Sequence, residues 1–292
     1  MLTIPAPAKL NLTLEVLAKR SDGFHEIRSV IQTINLCDSL NFQLSRKIEF
    51  KSDMPSWIAG ESLVSRATSL LKEATGCRKG VIIEISKRIP LVSGLGGDSS
   101  DAAAILCGLN TLWGLGLTQG KLLELAVQLV SDVAFFFYGG TALVEGRGEI
   151  VTPLPPLPHM WVVLMVPSVP ILKEKTKQLY ASLKSSHYTG GQITDRLVAL
   201  LTFGSNAMTF DLFNVFDSVA PDSFTGLEEY REQFLKAGAQ QVHLAGSGPT
   251  LFALVRDRSQ AEKIYWHLQE QGLESYLTDT LAQSPSPDSL SR

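Results

Sequence analysis

Three cysteines in 292 residues, Cys37, Cys77 and Cys107, are odd in number and widely spaced, which argues against both a disulfide framework and a zinc site. The five histidines form no His-Glu-x-x-His pair, so the common zinc-hydrolase signature is missing. No apolar run reaches the length of a membrane span; residues 161–166, Trp-Val-Val-Leu-Met-Val, are strand-sized. No basic block is present: 26 basic and 29 acidic residues are mixed along the chain for a net charge of −3, so neither nucleic acid nor a membrane is an expected partner. The N-terminus lacks the apolar core of a signal peptide, internal repeats are absent, and a cytoplasmic setting fits. What remains is an ordinary globular composition, 45% hydrophobic and 19% charged, long enough for two domains or one large one.

The strongest positive feature is Pro90-Leu91-Val92-Ser93-Gly94-Leu95-Gly96-Gly97-Asp98-Ser99-Ser100-Asp101. An apolar strand pattern at 81–85 leads toward it and a helix pattern at 102–113 follows. Glycines let backbone N–H groups approach a ligand, hydroxyls add donors, and a helix N-terminus adds partial positive charge, a combination suited to phosphate. The loop has no Lys of the Walker type, Ser99 spoils a dinucleotide-binding glycine pattern, and the protein-kinase His-Arg-Asp and Asp-Phe-Gly motifs are missing. A simpler alternative stays open, a glycine-rich turn in which Asp98 or Ser99 caps a helix.

Strands and helices alternate without strict βα regularity, which predicts an α+β architecture. The clearest boundary is the proline-rich 152–158, between a strand ending near Glu149 and another at Trp161. Beyond it, helix patterns fall near 174–183, 194–201 and 227–237. Paired strands at 242–245 and 251–255 flank Gly246-Ser-Gly-Pro-Thr250, and a helix follows at 259–270. The polar stretch from Ser284 reads as a disordered tail.

Three other segments carry candidate chemistry. Residues 7–16 alternate strictly, so a strand would aim Lys9 and Asn11 the same way, although a solvated polar face is the commoner reason for such a pattern. Ser21-Asp22-Gly23-Phe24-His25-Glu26 places an aromatic ring beside a hydrogen-bonding imidazole, as recognition of a nucleobase requires, or is simply a hairpin tip. Asp132, in Ser131-Asp132-Val133-Ala134-Phe135-Phe136, enters apolar surroundings as either a cap or a catalytic carboxylate.

Taken in order, Pro-Ala-Lys-Leu-Asn-Leu at 7–12, Asp-Gly-Phe-His-Glu at 22–26 and the glycine-serine loop at 94–103 resemble the GHMP kinase superfamily. Ser-Asp-Val-Ala-Phe-Phe at 131–136, residues 139–149 and Gly-Ser-Gly-Pro-Thr at 246–250 extend the resemblance over nearly the whole chain. It implies a two-domain fold, an N-terminal domain (1–155) like domain 2 of ribosomal protein S5 and a ferredoxin-like C-terminal domain (156–282), before a tail at 283–292. Within the superfamily, the segments at 22–26 and 131–133 point to the branch that phosphorylates the 2-hydroxyl of a cytidine diphosphate-linked methylerythritol in the non-mevalonate isoprenoid pathway. By that resemblance ATP and Mg²⁺ are the cofactors, and the loop Pro90 to Ser100 holds the nucleotide. Asp132 is the base and Lys9 its electrostatic partner. Asn11 and His25 contact the cytidyl substrate, and Phe24 and Tyr180 flank the cytosine. Oligomeric state is left open.

The chain departs from the family pattern at five positions. Asp98 and Val130 replace usual glycines, Ala134 a proline, Ser62 an asparagine near adenine, and Phe24 a tyrosine. Asp98 is expected either to cap its own helix, the favoured account, or to help hold Mg²⁺. Val130 and Ala134 put the placement of Asp132 in question. Kinases acting on other small alcohols, and a catalytically silent homologue, are the competing readings.

Overall fold

A computed structural model describes residues 1–170, 172–204 and 211–283. Its frame is a long antiparallel hairpin, β1 (Leu2–Lys19) and β2 (His25–Ser45). The Asp-Gly turn closes it, with Arg20 N–H donating to the Phe24 carbonyl at 2.8 Å. Register shifts at Pro7/Ala8, Asn11/Thr13 and Val16/Ala18 bend β1; such bulges re-aim side chains and strengthen twist.

The first sheet also contains β3 (Ile48–Ser52), β4 (Gly80–Ser86), β5 (Thr141–Gly146) and β6 (Ile150–Pro153). The strand expected to end near Glu149 is instead the β5–β6 hairpin, broken at Arg147-Gly148. Helices α1 (Leu63–Thr75), α2 (Gly97–Trp113) and α3 (Gln119–Ala126) pack on one face over a core that includes Phe42, Leu71, Leu106 and Trp113.

The second sheet contains β7 (Trp161–Met165), and the chain then passes through α4 (Lys175–Ser182) and α5 (Gln192–Phe203). The short strand β8 (Phe213–Asn214) returns to the first sheet and pairs parallel with β1 at Thr13 and Leu14. Helices α6 (Ala220–Ser223) and α7 (Leu227–Lys236), β9 (His243–Leu244), β10 (Leu251–Val255), α8 (Arg258–Glu270) and β11 (Ser275–Asp279) complete the chain. The sheet order β11-β7-β10-β9, all antiparallel, is the split βαββαβ arrangement.

Leu10, Leu95, Val162, Leu164 and Phe252 form a shared core between the two sheets. That packing decides the fate of β1. Lys9, Asn11, Thr13 and Glu15 are all buried, so the solvated-face expectation fails and both faces of the strand are covered. Burying a lysine and a glutamate is costly unless each finds partners, and both do. The Glu15 carboxylate accepts from the N–H groups of Ile193 and Thr194, at the start of α5, where a negative charge is favoured. Among the described residues no helix is long and apolar enough to cross a membrane. The tail from Ser284 lies outside the described residues.

Candidate active site

Helix α2 begins at Gly97, five residues before the apolar pattern that predicted it. Gly97, Asp98 and Ser99 therefore occupy its first turn, where N–H groups have no carbonyl partner within the helix. Gly96 ends the approach in a left-handed conformation (φ 76°). A Cβ there would lie 3.0 Å from Lys9 Cγ and Phe136 Cζ, and one on Gly94 would overlap the Ala245 carbonyl at 2.0 Å. The glycines are thus required by close packing as well as by backbone conformation. Lys9 N–H donates to the Leu95 carbonyl at 2.9 Å and Thr250 N–H to that of Ser93 at 3.3 Å, fixing the loop against β1 and the second sheet. Beside it the Ser100 hydroxyl is buried with no protein partner.

Lys9 lies next to this cradle. Its ammonium is 2.8 Å from Asn11 Oδ1 and 3.5 Å from Asp132 Oδ2. Asn11 in turn donates to Ser29 Oγ at 2.8 Å, so the common direction expected for Lys9 and Asn11 holds. Asp132 sits in a 3₁₀ turn, Ser131–Phe137, with its side chain 45% exposed, and so open to a ligand. Val130 is extended (φ −150°, ψ 157°), a conformation any residue adopts, so the missing glycine imposes no strain on this turn. Ala134 is simply buried in it.

Near Asp132, whose charge acts on Tyr180, His25 stacks on that ring with centroids 4.9 Å apart and planes 19° from parallel. Tyr188 meets the same imidazole edge-on at 6.1 Å. Burial, aided by Lys19, lowers the His25 pKa from its ordinary value, which favours the neutral ring near pH 7. Burial and the Asp132 charge raise the Tyr180 pKa, keeping the phenol protonated. Phe24 is not part of this stack: it is 54% exposed, and the Arg147 guanidinium covers one face at 4.9 Å. Tyr180 lies against His25, and the 4.9 Å spacing leaves no room for a third ring between them.

Asp98 does not cap its own helix, as the favoured account had it. Its carboxylate reaches across to α1, accepting from the Leu63 N–H at 3.0 and 3.2 Å and from the Ser62 hydroxyl. Ser62 is itself the N-cap of α1, taking a hydrogen bond from Val64 N–H at 3.3 Å. Two departures from the family pattern thus satisfy each other, and a charge that would face phosphate is turned onto a neighbouring helix N-terminus. Asp98→Gly is expected to cost about 1 kcal/mol, as loss of a helix cap does, and to leave the Mg²⁺ dependence unchanged. Denaturant unfolding and Mg²⁺ titration of ADP release check both outcomes.

Several contributors carry no clear signal in the sequence. A buried chain runs Asp38–Lys87–Asp101 beneath the loop, with Lys87 Nζ 2.8 Å from Asp101 and also paired to Asp38. Asp38 Oδ1 accepts from the backbone of Arg88 and Ile89 at 2.6 and 2.8 Å, anchoring the entry to the loop. Asn214 donates to the carbonyls of Leu244 and Gly246 at 2.8 Å each, holding the glycine-serine turn against Lys9. Only Asp101 adjoined a recognisable motif.

Residues 62–140 match the family model for the GHMP kinase N-terminal domain, and residues 198–273 that for the C-terminal domain. A protein of Dehalococcoides mccartyi named 4-diphosphocytidyl-2-C-methyl-D-erythritol kinase is 52% identical over 96% of this chain and 99% of its own length. One of the same name from Geobacillus thermodenitrificans is 39% identical over 90% of this chain and 91% of its own length. A crystal structure of 4-(cytidine 5'-diphospho)-2C-methyl-D-erythritol kinase superposes with TM-score 0.80 at 30% identity, covering 95% of this chain and 98% of that one. Homoserine kinase from Cytophaga hutchinsonii shares the fold at TM-score 0.73 and 21% identity, over 97% of this chain and 95% of that one.

Proposed function

The chain belongs to the GHMP kinases, and from that premise we propose that it transfers the γ-phosphoryl group of ATP to the 2-hydroxyl of 4-diphosphocytidyl-2-C-methyl-D-erythritol. This is a step of non-mevalonate isoprenoid precursor synthesis, and the two-domain GHMP fold houses it. The observation that carries the reading is the placement of Lys9 and Asp132, 3.5 Å apart, with Lys9 packed against Gly96 of the glycine-lined loop and the Asp132 charge acting on Tyr180. One carboxylate then borders both a loop suited to a nucleotide and a stack suited to a base.

Phosphoryl transfer demands positioning and charge neutralisation more than covalent help from the protein. The N–H groups opening α2 and the loop backbone suit the ATP phosphates. An alcohol does not ionise at neutral pH, so Asp132 takes its proton as the hydroxyl oxygen bonds to the γ-phosphorus and ADP departs. Lys9, held by Asn11 at 2.8 Å, orients the carboxylate and offsets charge on the transferring group. His25 reads the cytosine edge as a neutral donor and acceptor. The base is expected to displace Arg147 from Phe24 and to lie beside, not between, His25 and Tyr180.

Among the described residues no three His, Cys, Asp or Glu side chains group as a metal site. That fits Mg²⁺ arriving on ATP, with phosphate oxygens and water as most of its ligands, and the unpartnered Ser100 hydroxyl is a suitable protein donor toward it. Bound there, the ion would neutralise charge on the β- and γ-phosphates. Three free cysteines agree with a reducing cytoplasm.

ADP release measured with the cytidyl substrate, homoserine and mevalonate tests the assignment. Turnover with the first alone is expected; turnover with another alcohol, or none with any, overturns it. His25→Ala is expected to raise the KM for the cytidyl substrate about 10-fold, the scale of a lost buried hydrogen bond, and to leave the KM for ATP within twofold.

A further inference from the structure

Lys175, the first residue of α4, belongs to none of the groups assigned above, yet it is among the most buried charged side chains of the protein, 7% exposed. Its ammonium donates to the Val92 carbonyl at 2.7 Å and to the Gly248 carbonyl. The first acceptor lies in the phosphate loop and the second in the turn that packs against that loop and Lys9. Both partners are carbonyls, so nothing in these contacts neutralises the charge. Burial and the nearby Lys9 ammonium lower the Lys175 pKa to about 7. A buried cation without a carboxylate, beside a cradle built for phosphate, is in complementary surroundings only when an anion is present.

The backbone marks the same place. Among the described residues only Val92 (φ 53°) and Glu174 (φ 51°) are non-glycine residues in the left-handed region. One supplies the carbonyl that Lys175 holds, and the other precedes Lys175 directly. A β-branched residue in that region is a steric outlier that persists only where neighbours enforce it. Gly248 N also lies 2.9 Å from where a Gly94 Cβ would be, so the turn, the loop and the lysine form one contact. The Thr176 and Ser247 hydroxyls, 2.9 Å apart, close its outer side.

We propose that Lys175 is a positioning residue for nucleotide binding: by holding the Val92 and Gly248 carbonyls it fixes the phosphate loop from the helix that also carries Tyr180. The proposal rests on the kinase reading, in which the loop takes ATP and Tyr180 lies at the cytidyl end. Lys175 thereby fastens the nucleotide side of the site to the element bordering the other substrate.

The test compares Lys175→Met and Lys175→Gln with the parent. Lys175→Met removes every donor and is expected to raise the KM for ATP about 10–100-fold, the scale of lost hydrogen bonds from a charged group. The dissociation constant for CDP, measured by calorimetry, should stay within twofold because it reads the Tyr180 end of the same helix. Lys175→Gln keeps two N–H donors and should recover much of the ATP affinity, which a purely space-filling role would not predict. An unchanged ATP KM in Lys175→Met overturns the proposal, as does equal loss of ATP and CDP binding, which would mark a general disruption of α4. Failure of the parent itself to bind CDP would instead overturn the substrate assignment.

Discussion

Asp132→Asn is expected to lower kcat by about 10²–10⁴, the usual worth of a positioned general base, while ATP still binds. The substitution keeps size and shape but removes the site that accepts the proton. Lys9 lies 3.5 Å away and stays anchored by Asn11, so the geometry of the cradle should survive. The measurement is kcat from ADP release alongside calorimetric binding of a non-hydrolysable ATP analogue. Near-parental turnover would remove Asp132 from the chemistry; loss of nucleotide binding would make its role structural. The 45% exposure of this side chain leaves it open to a ligand.

The largest effect on stability is expected at Lys87. Its ammonium is buried with two carboxylates, Asp38 and Asp101, all at 2% exposure or less, and one oxygen of Asp101 has no partner. Removing the cation leaves two buried acids uncompensated. Lys87→Met should therefore cost about 3–5 kcal/mol in denaturant unfolding, as breaking a buried pair typically does. The double variant Lys87→Met/Asp101→Asn should recover part of that loss, because one of the stranded charges goes with it.

The pH dependence has a definite sign. Burial raises the Asp101 pKa, an effect that the Lys87 charge opposes. The folded form thus holds this proton more tightly than the unfolded chain. Its contribution is fully present below the ordinary carboxylate value of about 4 and fades as pH rises through the raised folded value. Without Lys87 the Asp101 carboxyl resists ionisation in the fold more strongly, so the variant's deficit should shrink when unfolding is measured at pH 5 instead of pH 7. A deficit that is flat with pH would show that packing, not charge, holds this site together.

The buried chain also supports the loop. Asp38 binds the backbone at Arg88 and Ile89, and Asp101 lies in the second turn of α2, so the strand and helix bracketing the phosphate cradle share one cation. Partial loss of ATP affinity in Lys87→Met would follow from that arrangement.

Local pattern made some of this legible. Alternation along residues 7–16 placed Lys9 and Asn11 on one side of a strand, and their 2.8 Å contact follows from a period of two. The glycine spacing of 94–97 marked a place of close backbone approach, and the overlaps that a Cβ would make at Gly94 and Gly96 agree with it. The helix start was misplaced by five residues, since Gly97, Asp98, Ser99 and Ser100 carry no apolar periodicity. They belong to the helix because its first turn is stabilised by tertiary contact. Asp98 was misread for a related reason: the partner of its carboxylate, α1, lies thirty-five residues earlier in the chain, and a capping pattern reports only on its own helix.

By itself the sequence determined the groups on offer: a glycine-rich loop of a kind suited to phosphate, a lysine and a carboxylate, and a histidine beside an aromatic residue. Those are properties of residue types and short spacings. Only the tertiary structure decided which of them meet. Burial of both faces of β1 brings Lys9 to Asp132, Asp98 reaches across to α1, and His25 packs on Tyr180 while Phe24 keeps to Arg147. The reason is that each of these pairings joins residues far apart in the chain. Their distances are set by how two sheets pack over a shared core, and no local period encodes that packing.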